Sequence, residues 1–134
     1  MASEINTASR IDYLRTGKVG FDSVKTFDSV IQAVRNYTDG VRKVFPVVKA
    51  FLFGSWAKGN ATKFSDVDVC FFLESYGGRR QIDVLTDITL LMLDDYSWLG
   101  VELHACLASS LESDNQFVRE VLRTGIEIWP GRDS

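Results

Sequence analysis

The sequence holds one histidine and two cysteines, Cys70 and Cys106, with no C-x-x-C pair. Neither a Cys/His zinc site nor a disulfide framework is expected from so few ligands. Both cysteines fall in strand-like runs and read as small buried residues of a reducing compartment. Positive charge is not in excess: 15 Lys and Arg stand against 18 Asp and Glu, a net charge of −3. Dedicated nucleic-acid surfaces are usually basic, so that class is disfavoured. No apolar run approaches the roughly 20 residues of a membrane span. The opening stretch MASEINTASRIDYLRTG lacks the apolar core of a signal peptide. A cytoplasmic protein without membrane contact is therefore expected. Internal repeats, low-complexity tracts and linkers are missing too, so no boundary divides the body of the chain.

What is present fits a globular chain. The 134 residues are 46% hydrophobic and 25% charged, an ordinary soluble balance. That length is one domain by the usual prior and buries about two-thirds of its unfolded surface. Residues 1–20 are polar and weakly periodic, and read as an N-terminal arm, either flexible or partner-binding. The domain is placed at 21–134.

From Phe21 to Phe45, apolar residues recur at Val24, Phe27, Ile31, Val34, Tyr37, Val41 and Phe45. Steps of three and four predict an amphipathic helix, capped by Asp22 or Ser23 and stopped by Pro46. Val47–Phe53 is apolar except for Lys49, as in a central strand covered on both faces. Gly54 breaks the run, and Ser55–Lys58 reads as a short helical turn. Ser65–Leu73 is a second strand. A loop ending in Gly77-Gly78 leads through Arg79-Arg80, a solvated pair or a phosphate contact, to a helix over Gln81–Asp95. Its expected buried stripe is Ile82, Leu85, Ile88 and Met92. Val101–Leu107 is a third strand whose Glu102 is costly to bury without a partner; an edge position is one explanation. A last helix runs from Ser113 to Thr124 with Gly125 as its C-cap, before a final strand, Ile126–Trp129.

The chemistry concentrates between Phe51 and Phe72, FLFGSWAKGNATKFSDVDVCFF. Side chains alternate along a strand, so Asp66 and Asp68 share one face and Val67 and Val69 the other. Two neighbouring carboxylates repel unless a cation lies between them. Magnesium takes a few carboxylate oxygens together with substrate phosphate oxygens. A Gly-Ser turn after a strand can offer backbone N–H groups to phosphate. Together these features suggest a site for a metal and a nucleoside triphosphate.

At these residues the chain resembles a known family. Gly54-Ser55, ten residues, then Asp66-Val67-Asp68 is similar to the G-S-x10-D-x-D signature of the DNA polymerase beta-like nucleotidyltransferases. The short chain resembles the minimal nucleotidyltransferases, many of which act as antitoxins of HEPN-domain toxins. Phe117 to Ile126 resembles the helix–Gly–strand ending of the same proteins, so the likeness covers roughly residues 21–130. It implies an α+β nucleotidyltransferase fold, with a short mixed sheet of about three to five strands flanked by helices. It implies two magnesium ions held by Asp66, Asp68 and Glu102, where Glu102 stands at the family's usual third Asp. It further implies ATP as donor, with Gly54, Ser55, Lys58 and Ser65 at the triphosphate. Trp56, where many relatives carry Arg, either stacks or packs. His104 shares a face with Glu102 and reads as a hydrogen-bonded structural residue or a proton carrier.

The function implied is transfer of AMP from ATP to a hydroxyl, a tyrosine of a cognate HEPN toxin. A partner protein or a second copy of the chain would complete the acceptor side. Two other readings stand beside it: transfer to a small molecule such as an aminoglycoside, and a non-catalytic antitoxin that acts by occlusion.

Overall fold

The computed structural model describes residues 25–131. The expected N-terminal arm, and the caps expected at Asp22 and Ser23, lie outside these residues. Helix α1 spans Phe27–Arg42. Its cap is Thr26, whose hydroxyl accepts from Ser29 N at 3.2 Å while Ser29 Oγ accepts from Thr26 N at 2.8 Å. This reciprocal capping box starts the helix later than the apolar period implied. Val30, Ile31, Val34, Tyr37 and Val41 are buried, while Phe27, counted in that stripe, is largely exposed.

Strand β1 spans Val47–Phe53, the short helix α2 Ser55–Lys58, and β2 Val67–Leu73. Ser65 and Asp66 therefore precede the second strand. Helix α3 runs Gln81–Leu90 and stops before the expected Asp95. Its end tightens into i→i+3 bonds, Met92 N to Thr89 O and Leu93 N to Leu90 O. Asp94 and Asp95 would oppose the dipole of a longer helix at its C-terminus. The buried stripe is Val84, Ile88 and Met92, whereas Ile82 is 57% exposed.

Strand β3 spans Val101–Leu107, helix α4 Gln116–Thr124 and β4 Ile126–Trp129. Asn115, not Ser113, caps α4, its Oδ1 accepting from Val118 N at 3.0 Å. Gly125 ends the helix in extended rather than left-handed backbone, φ −79°. It is required for close approach instead: a Cβ there would meet Val121 O at 2.5 Å and Leu52 O at 3.1 Å.

The four strands form one mixed sheet in the order β3-β2-β1-β4. β1 is antiparallel to β2 and β4, and β2 is parallel to β3. The fold is therefore the α+β class expected. β1 is central, as its nearly unbroken apolar run implied, and among the described residues β3 lies at an edge, which leaves Glu102 exposed.

Two apolar layers cover the sheet. Ala50, Leu52, Val67, Val69, Phe71 and Leu73 pack with α1 and α3. Phe51, Cys70 and Phe72 pack on the opposite face with Val118 and Val121 of α4. Each fully buried large side chain contributes about 1.5–3 kcal/mol. Tyr37 joins α1 to α3 through its hydroxyl, which donates to Ile88 O at 2.7 Å. At the far edge the Arg42 guanidinium lies 3.3 Å over the Trp129 ring. Cys70 is buried and Cys106 half-buried, both free thiols. No helix among the described residues is long and apolar enough to cross a membrane.

Candidate active site

The site lies where β1 ends and β2 begins. Gly54 follows β1 at φ 73° and ψ −154°, a backbone region that side chains disfavour. A Cβ at Gly54 would also overlap the Asp68 carboxylate. The turn and the carboxylate are thus packed directly together. Ser55 opens α2, where first-turn N–H groups lack helical partners.

The loop from α2 to β2 is held by its last residues. Ser65 Oγ accepts from Thr62 N at 2.9 Å, and Ser65 N donates to Thr62 O at 2.9 Å. The Ser65 carbonyl accepts from two side chains, Lys25 Nζ at 3.1 Å and Trp56 Nε1 at 3.2 Å. Trp56 is 6% exposed, so it packs and clamps rather than stacks. Burial lowers the Lys25 amine's pKa, and Asp66 opposes that shift. These contacts fix the backbone from which Asp66 emerges, exposed, before β2.

Asp68 lies within β2, opposite Phe53 on β1 and Glu102 on β3. Parallel pairing with β3 also places Cys70 opposite His104. Asp68, Glu102 and His104 offer donor atoms that all lie within 4.8 Å of one another. Glu102 Oε2 and His104 Nε2 are 3.5 Å apart. Burial raises the Asp68 carboxyl's pKa, and the Glu102 charge adds to this; His104 acts against it, and Asp66 adds last. Asp66 thus acts on Asp68 but stands outside the trio of converging donors.

Two rings wall the site beside His104. Phe53 lies 5.2 Å and Phe117 5.1 Å from the imidazole, centroid to centroid. Phe53 and Phe117 meet edge to face at 5.5 Å. Lys58 pairs with Glu120 of α4 at 3.8 Å, both half-exposed. Arg79 and Arg80 form surface pairs with Asp87 at 2.9 Å and Asp83 at 3.0 Å, as a solvated pair would.

The sequence left the parts of two residues open. Trp56 was to stack or pack, and its partner, a main-chain carbonyl nine residues on, leaves no local signal. His104 was legible beside Glu102 by its i, i+2 spacing.

Comparison with known families defines the class. The nucleotidyltransferase domain model matches residues 34–122, which include Gly54, Ser55, Asp66, Asp68 and Glu102. The chain belongs to the nucleotidyltransferase domain family. Among solved structures it is similar to a nucleotidyltransferase candidate from Sulfolobus solfataricus, with TM-score 0.60 and 15% identity over 84% of this chain and 90% of that one. It is also similar to a chain of a toxin–antitoxin complex solved with AMP-PNP, with TM-score 0.47 and 16% identity over 74% of this chain and 75% of that one. Comparison with curated proteins returns no match.

Proteins of this class generally use a nucleoside triphosphate and a divalent metal. The residues present fit such an ion. Carboxylates on adjacent strands converge, and burial first and the Glu102 charge second raise the Asp68 pKa, which a bound cation would offset.

Proposed function

We propose that the chain moves AMP from ATP to a hydroxyl, and that the acceptor is a tyrosine of a HEPN-domain toxin. The observation that carries the reading is the contact between the Gly54 turn and the Asp68 carboxylate. A phosphate-binding turn and a metal-binding carboxylate must lie side by side for one triphosphate to touch both.

In this reading Gly54 and Ser55 receive the β- and γ-phosphates through backbone N–H groups and the Ser55 hydroxyl. Lys58 leaves its exposed pair with Glu120 to reach the triphosphate; such a pair is worth at most about 1 kcal/mol, so the exchange is inexpensive. Ser65, whose hydroxyl accepts from Thr62 N, would orient the loop beside the triphosphate. Asp66, Asp68 and Glu102 would hold two magnesium ions. Bound magnesium supplies charge neutralisation at the α-phosphate and on the departing pyrophosphate.

The acceptor oxygen forms a bond to the α-phosphorus as the bond to pyrophosphate breaks. Glu102, exposed on the edge strand, takes the proton released by the acceptor hydroxyl. A protein acceptor is supported by apolar side chains left open around the site. Phe64 on the α2–β2 loop is 82% exposed, and Phe117 of α4, beside His104, is also exposed.

Paired labelling tests the reaction class. Label in the α-phosphate of ATP should appear on the HEPN protein, and label in the γ-phosphate should not. Transfer of γ-label would indicate phosphoryl transfer and overturn the reading.

A further inference from the structure

We propose that His104 is a metal ligand, giving this site a mixed oxygen and nitrogen donor set that binds a first-row transition divalent cation. The inference rests on the metal-dependent reading above and assigns one of its sites a nitrogen donor. It starts from which groups converge. The three donors that come together are Asp68, Glu102 and His104, and Asp66 is not among them. Two carboxylates and one imidazole, each from a strand, make a small facial set with the rest of the coordination sphere open to substrate or water.

The spacing suits an ion. Donors at about 2.0–2.2 Å from a metal lie roughly 3 Å from one another. The imidazole and the Glu102 carboxylate are already 3.5 Å apart, and the whole trio spans no more than 4.8 Å. Small side-chain rotations close the remainder.

The ring is also held for the task. Phe53 and Phe117 pack against it at 5.2 and 5.1 Å, while Nε2 faces Glu102. A fixed ring loses little rotamer freedom on binding, which favours preorganised ligation.

Nitrogen changes the choice of metal. Magnesium favours oxygen ligands, whereas imidazole suits zinc and other first-row transition ions. A site that included only Asp66, Asp68 and Glu102 would show no dependence on residue 104. The converging trio predicts that dependence.

The test uses the full chain without added tags, because His104 is its only histidine. Any imidazole signal in a nitrogen NMR spectrum then belongs to this ring. Zinc alone is titrated into the wild type, followed by His104→Phe, His104→Gln and Asp68→Asn. The phenylalanine variant keeps the ring packing and removes both nitrogens. The proposal expects the Nε2 signal to move with zinc, and zinc affinity to fall at least about tenfold in all three variants. Magnesium affinity, measured by competition, should change far less in the two His104 variants.

Zinc binding that persists in His104→Phe, or an Nε2 signal that zinc leaves in place, overturns the proposal. So does full zinc affinity in Asp68→Asn, which would put the ion elsewhere, for instance at Cys106. None of these readouts uses ATP. Loss of AMP transfer with the zinc result intact would instead count against the proposed reaction alone.

Discussion

The carboxylate of Asp68 fills the space that a side chain on Gly54 would require. Gly54 is thus constrained twice, by its positive φ and by its neighbour. Gly54→Ala should strain the backbone by about 1 kcal/mol or more and push Asp68 out of line with Glu102. AMP transfer should fall at least about 100-fold, a loss near 2.7 kcal/mol of transition-state stabilisation. Steady-state rates and a thermal melt together check this. Full activity in the variant would show that the close packing has no part in the chemistry.

Trp56 and Lys25 share one acceptor, the Ser65 carbonyl. Trp56→Phe removes one donor and should cost about 1 kcal/mol of stability. Lys25→Met removes the other. The double variant leaves the carbonyl without either and should cost more than the sum of the singles. A double-mutant cycle by urea unfolding measures the coupling. Strict additivity would mean that the two donors act independently on the loop before Asp66.

Asp68→Asn should have opposite effects on activity and on metal-free stability. The raised pKa means that the folded state disfavours the ionised carboxylate. Its favourable contribution is complete below the ordinary carboxylate range and is lost as pH rises through the raised value. At neutral pH in chelator, the amide should therefore melt at a higher temperature than the wild type while transferring no AMP. A lower melting temperature would show that Asp68 supports the fold by contacts that outweigh its repulsion from Glu102.

Tyr37 predicts the alkaline limit. Burial pushes its hydroxyl pKa well above the ordinary phenol value, and the hydroxyl donates to Ile88 O. Its contribution is present below about pH 10 and is lost as pH rises toward the folded value. Tyr37→Phe should cost about 1 kcal/mol at neutral pH and lose less stability between pH 9 and roughly 11. Parallel melts across that range would refute this if the two proteins lost stability at the same rate.

Legibility in the sequence followed the physical origin of each signal. β1, α2, β3 and β4 have the bounds that their residues imply, because Gly54, Gly100 and Gly125 sit beside their ends. The helices were less legible. Periodicity located α1 and α3, but their ends depend on Thr26 with Ser29 and on acidic residues against a helix dipole. Apolar spacing suggested Ile82 for the α3 stripe, yet contact with the sheet selected Val84. At the site, alternation along a strand pointed to Asp66 and Asp68 as the pair. Asp66 precedes the strand, which begins at Val67, and strand register adds Glu102 opposite Asp68. Pairing between strands is a long-range relation, and no local pattern encodes which residues of β2 and β3 face each other.

Intact-mass measurement of a HEPN toxin incubated with this chain, ATP and magnesium tests the central claim most directly. The account predicts a gain of one or more AMP units that disappears when the chain carries Asp66→Asn and Asp68→Asn together. A stable complex with no mass gain, or a gain that the two substitutions leave unchanged, would contradict it.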